Sequence, residues 1–167
     1  KFSCTDIVRI PSDKPLVDPI LVDKIVNEYK KRSFDYVSNF LTETFPSGAE
    51  VEIFSFKTLE KTWKDAKKPS EREHVVPYIM NNPKIFRLHN YSNSENFSKL
   101  RYVVDRKEDL EVVQKIVARI EHRPILMDDI IQIFYNEPEI FELNKDVDRR
   151  EGELKSAKED ELFKKEY

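Results

Sequence analysis

Glycine is nearly missing from this 167-residue chain, which holds Gly48 and Gly152 and no others. A loop that cradles phosphates with backbone N–H groups needs glycines so that the backbone can approach its ligand. The sequence therefore contains no self-contained nucleotide-phosphate loop of the usual kind. Cys4 is the single cysteine, which excludes an internal disulfide and a cysteine metal cluster and fits a reducing cytoplasm. No apolar run approaches the roughly 20 residues of a membrane span, and no signal peptide is expected. An excess of one charge is also lacking: 29 Lys and Arg face 32 Asp and Glu, a net charge of -3. The signs are interspersed, so neither a nucleic-acid nor a membrane-surface partner is implied. What is present, 39% hydrophobic and 11% aromatic residues, suffices for the core of one domain.

The stretch from Arg9 to Pro19 organises the rest. The apolar run Ile7–Ile10 predicts a strand over Thr5–Ile10 that stops at Pro11. Asp13 follows between Pro11 and Pro15, on a loop stiffened by proline. Asp18 and Pro19 then suit the cap and first position of a helix running to about Arg32. Further strands are expected over Asp35–Asn39, Val51–Phe56, Ile85–Leu88 and Leu100–Val104. Helices are expected around Leu59–Ala66, from the Ser70–Glu73 capping pattern to a break at Pro77, from Asp105 to Ile120, and over Met127–Phe134. Trp63 is expected in the core, and Cys4 as a buried small hydrophobe. From Asn144 onward charges of both signs dominate, which predicts a peripheral helix or tail over 144–167 beside a single domain over 1–143. Strands alternating with helices predict an α/β fold: a mixed, largely parallel sheet flanked by helices.

Asp13 and Asp105 look alike, each just past an apolar strand and before a helix. Two carboxylates at the carboxyl edge of a sheet suit a hard cation, and magnesium above all, since it takes one or two carboxylates plus substrate phosphates. The plainer alternatives are a turn residue for Asp13 and a helix cap for Asp105. Arg72, His74 and Arg101 are candidates for an anionic substrate, because arginine forks carboxylates and phosphates. A polar first helical turn would equally explain Arg72 and His74, and Arg101 faces either solvent or the site. Glu50 and Glu52 point to one side of their strand, suited to acceptor hydroxyls or to a solvated face.

Five segments occur in order: Arg9–Pro19, Tyr36–Asn39, Gly48–Phe56, Arg72–Ile79 and Val104–Glu111. Together they resemble the spore coat polysaccharide biosynthesis protein F family of cytidylyltransferases, relatives of the CMP-sugar-acid synthetases. The resemblance runs from about Thr5 to Arg150. It implies a nucleotide-diphospho-sugar transferase-like fold and CTP-dependent activation of a sugar or sugar acid, with release of pyrophosphate, for surface polysaccharide synthesis. It implies Asp13 and Asp105 as the catalytic, Mg2+-binding aspartates, and a homodimer. Two departures are mild: Arg106-Lys107 stands where the family has Thr-Pro, and Gly48-Ala49-Glu50-Val51-Glu52 stands where the family has Gly-x-Asp-Val-Glu, with Glu50 in place of Asp. A larger one is that the resemblance covers only the family's C-terminal two-thirds, so its N-terminal nucleotide-binding half is lacking. The isolated chain is accordingly expected to be inactive, needing an N-terminal segment or a second chain. The alternative is a non-catalytic fragment or interaction module of the same fold.

Overall fold

The structure, a computed structural model, describes residues 3–31, 33–148 and 151–166. Arg32, expected at the end of the first helix, lies outside the described residues. The elements run β1 (Asp6–Arg9), α1 (Pro19–Lys31), β2 (Tyr36–Ser38), β3 (Glu52–Ser55), α2 (Phe56–Asp65), α3 (Pro69–His74), α4 (Val76–Met80), β4 (Leu88–Asn90), α5 (Lys107–Arg119), α6 (Met127–Asn136), α7 (Pro138–Glu142) and α8 (Glu151–Glu166).

The sheet order is β1-β3-β2-β4. β3 pairs antiparallel with both β1 and β2, while β2 and β4 pair in parallel. The fold is thus α/β with the expected mixed sheet. β1, β2 and β4 share a direction, and β3 is inserted between β1 and β2 against them. The bonded pairings are therefore less parallel than the strand directions. The cause lies in the connections: α1 supplies a crossover between β1 and β2, whereas β2 returns to β3 through a loop without a helix. Buried Asn39 closes that loop, donating Nδ2 to the Ala49 carbonyl (2.9 Å) and accepting the Val51 N–H on Oδ1 (2.8 Å).

Successive strand residues face opposite sides. Val37 and Ile53 join a large core with Ile25, Val112, Ile116 and Ile130. Their neighbours Tyr36 and Phe54 join a smaller core with Val76, Ile79 and Phe86. The sheet is therefore covered by apolar side chains on both faces.

Several local expectations shift. Leu100–Val104 is extended, but forms only an isolated parallel bridge between Ser47 and Arg101. Its backbone is spent on loops, with Ser47 N–H donating to Leu100 C=O and Tyr102 N–H to Ser47 C=O. Ile85 and Phe86 are not strand, because both amides bond back to the Asn82 carbonyl in a turn. The break near Pro77 is present: α3 ends at His74, the capping residue Val75 turns the chain with a φ of 67°, and α4 begins with Pro77 in its first turn. Trp63 is 64% exposed. The inward face of α2 carries Thr58 and Thr62 instead, satisfied by the Asp35 and Thr58 carbonyls. Cys4 is exposed and donates to the Asp6 carbonyl rather than packing in the core.

The charged C-terminal region forms α8, which packs on α3 through Ser70–Asp160 and His74–Ser156 hydrogen bonds. Asn144, where the composition changes, is itself buried. No helix among the described residues is long and apolar enough to cross a membrane.

Candidate active site at the carboxyl edge of the sheet

The carboxyl ends of β1, β2 and β4 and the amino end of the reversed β3 lie at one edge of the sheet. That geometry collects Asp13, just past β1, with Glu50 and Glu52 at the start of β3. Local bonds shape the β1–α1 connection. The Lys14 amide turns back to Pro11 C=O (3.3 Å), and Asp18 caps α1 by accepting from Ile20 (2.7 Å) and Leu21 (3.2 Å). The second oxygen of Asp18 accepts the Met127 amide, so one carboxylate ties the start of α1 to that of α6.

The two aspartate loops meet through their backbones: the Val104 N–H donates to the Asp13 carbonyl at 2.8 Å. Asp105 is the next residue in the chain. Neighbouring strands would project both carboxylates into one crevice; Leu100–Val104 makes only an isolated bridge, and it is this backbone bond that brings the two loops together. Asp13 Oδ1 is buried without a hydrogen-bond partner. Asp105 does not cap a helix with its side chain; its carboxylate is half exposed and accepts from Arg101 Nη2 at 2.6 Å.

Glu50 and Glu52 are both buried, which removes the solvated-face reading. Glu50 Oε2 pairs with Lys14 Nζ (3.2 Å) and accepts the Gly48 amide (2.7 Å). Glu52 Oε1 pairs with Arg9 (3.1 Å), while its Oε2 is buried with no partner. Burial raises the Glu52 pKa above the ordinary glutamate value, against the opposing pull of Arg9 and Lys14.

Arg101 is buried and forks Asp109, with Nε on Oδ1 at 2.8 Å and Nη2 on Oδ2 at 2.9 Å. The two nitrogens are thus committed to the protein's own carboxylates. Arg72 and His74 stand on α3. Arg72 donates to the Trp63 carbonyl (2.7 Å), and His74 shares a hydrogen bond with Ser156 of α8 (3.0 Å). These bonds run toward α2 and α8, and the structure shows none between either residue and the Asp13–Asp105 cluster.

Sequence reasoning passed over Lys14, Arg9, Asp109 and Asn144. Lys14 follows Asp13 in the loop and Arg9 ends β1, and neither has a local pattern that marks it as part of a site. Asp109 sits beside Glu108, and the two compete for one capping pattern. Asn144 opens a charged stretch that reads as solvated. Beside Arg101 lies a cavity of about 360 Å³ whose lining includes Ser47, Lys99, Phe141, Asn144 and Lys145.

No group of three or more His, Cys, Asp or Glu among the described residues is arranged to hold a metal. A cation here would rest on two carboxylates and complete its shell with water or phosphate, as magnesium does. The donor set fits: the orphaned, buried Asp13 Oδ1 lacks the positive partner that a cation would supply.

The model of the cytidylyltransferase family matches residues 2–151. An uncharacterised protein of Methanocaldococcus jannaschii is 35% identical over 150 residues, 88% of this chain and 60% of that protein. The spore coat polysaccharide biosynthesis protein SpsF of Bacillus subtilis is 25% identical over 142 residues, 80% of this chain and 56% of SpsF. The solved structure of a cytidylyltransferase from Leptospira borgpetersenii superposes with a TM-score of 0.79 at 30% identity, covering 82% of this chain and 58% of that one. The chain thus spans between 56% and 60% of the lengths of these relatives. A family match over residues 2–151, together with a shared fold at 30% identity to a solved cytidylyltransferase, places this chain in the cytidylyltransferase family.

Proposed function

We propose that this chain supplies the metal and acceptor side of a cytidylyltransferase that activates a sugar or sugar acid for surface polysaccharide. The observation that carries the reading is the backbone bond joining the Asp13 and Asp105 loops. An oxygen of the acceptor forms a new bond to the α-phosphorus of CTP, and the bond to pyrophosphate breaks. Such transfers depend on positioning and charge compensation more than on covalent help from the protein.

Asp13 and Asp105 would hold Mg2+, which when bound neutralises phosphate oxygens and acidifies a hydroxyl. Around them the chain's residues position and balance charge. Lys14 holds Glu50 in place, and Arg9 holds Glu52, so that both acids stay at the sheet edge where an acceptor's hydroxyls could meet them. Lys99, on the cavity beside Arg101, offers positive charge to an anionic acceptor. This role suits it better than Lys145, which pairs with Glu142, or Arg72 and His74, whose bonds run elsewhere.

The rival reading is a non-catalytic module of the same fold, which would keep the sheet and its two cores without turning over CTP. The deciding measurement is CTP-dependent pyrophosphate release by the intact protein. Asp13→Ala and Asp105→Ala should each lower the rate by several powers of ten. Equal rates in wild type and both variants would overturn the assignment of these aspartates. No release from the wild type, with no binding of Mn2+, would favour the module.

A further inference from the structure

We propose that Asp109 is a positioning residue that fixes Asp105, acting through Arg101; the inference rests on the reading of Asp105 as a cation ligand. Asp109 is fully buried and accepts five hydrogen bonds. Two come from Arg101. Two more come from the backbone amides of Asp105 and Arg106, each at 3.1 Å. The fifth comes from Asn144 Nδ2 at 2.8 Å.

Arg101 then passes the constraint on, because Nη2 reaches Asp105 Oδ2 at 2.6 Å while also bonding Asp109. Asp105 is therefore held twice by one buried carboxylate, directly at its amide and indirectly at its side chain. A half-exposed aspartate on a loop ordinarily samples several rotamers. A charge-assisted bond from a buried, forked guanidinium selects one. It also leaves Asp105 Oδ1 without a donor among the described residues, open to a cation. Asn144 braces the far side, donating to the Arg101 carbonyl (3.3 Å) as well as to Asp109.

Outer partners of this kind orient the groups that touch a metal, and losing one weakens metal affinity by about tenfold or more. A residue that only stabilises the fold would lower the melting temperature and leave the native site unchanged. The test is the χ1 rotamer of Asp105 in the intact protein, read from scalar couplings by NMR, with Mn2+ affinity measured by EPR alongside. Wild type should show one rotamer. Asp109→Asn and Arg101→Lys should show averaging, with Mn2+ bound about tenfold more weakly. Averaging already in the wild type, or a single rotamer kept in both variants, would overturn the proposal. Asp105→Asn separates the two ideas. If it binds Mn2+ as the wild type does while the rotamer result holds, the metal reading fails and the positioning role stands.

Discussion

Gly48 sits at a φ of 110°, and an added Cβ would lie 2.6 Å from Tyr102 Cδ2 and 2.7 Å from the Val103 nitrogen. Both the backbone conformation and the space exclude a side chain there. Gly48→Ala should therefore cost about 3 kcal/mol in urea unfolding, combining strain with displacement of the Tyr102 segment. Glu52 gives a pH prediction at the same scale. Its folded pKa is raised above 4.5, first by burial. The native state then binds more protons than the unfolded state once the pH exceeds that value. Its contribution to stability is present below 4.5 and is lost as pH rises through the folded pKa. Unfolding measured from about pH 4 upward should show this falling component, and Glu52→Gln should remove it. Asp109 has the opposite sign. Burial pushes its pKa up, but hydrogen bonds from Arg101, Asn144 and the Asp105 amide outweigh burial and hold it below 3.8. Its stabilisation is present above that value and lost only as pH falls below it.

At the scale of elements, α3 is a helix of six residues, too short to persist without outside support. Glu71 supplies part of it, accepting the Lys67 and Lys68 amides at the helix start. Asp160 of α8 supplies more, taking both the amide and the hydroxyl of Ser70 at 3.0 and 2.7 Å. Asp160→Ala should loosen the contact between these helices by about 1–2 kcal/mol. Hydrogen exchange should then quicken along α8 and α3, while β3 amides keep their protection. Equal acceleration in β3 would mean that α8 is part of the main cooperative unit.

For the whole molecule, the sheet couples two cores. Tyr36 and Phe54 belong to one and their neighbours Val37 and Ile53 to the other, so neither core can melt while the strands stay paired. Ile116 of α5 is fully buried in the larger core. Ile116→Ala should remove about 2–5 kcal/mol, a large share of a typical domain's stability. Because of the shared sheet, NMR signals of Phe86 in the smaller core should disappear at the same denaturant concentration as those of Ile130 in the larger. Separate midpoints would show that the two faces unfold independently.

The sequence by itself determined the alternation of strands and helices, the cap at Asp18, the break near Pro77 and the resemblance that leads to the family. Each of these depends on neighbours within a few positions, or on ordered motifs that survive without coordinates. It also singled out Asp13 and Asp105, because a carboxylate after an apolar run and before a helix is a local pattern. Only the tertiary structure decided that β3 slots in reverse between β1 and β2, since strand order is set by contacts between residues far apart in the chain. That reversal brings Glu50 and Glu52 to the same edge as Asp13 and buries them. Only the structure showed that Arg101 is spent on Asp105 and Asp109, that Arg72 and His74 bond toward α2 and α8, and that Trp63 faces out. A side chain's partner depends on what lies across from it, and composition carries no record of that.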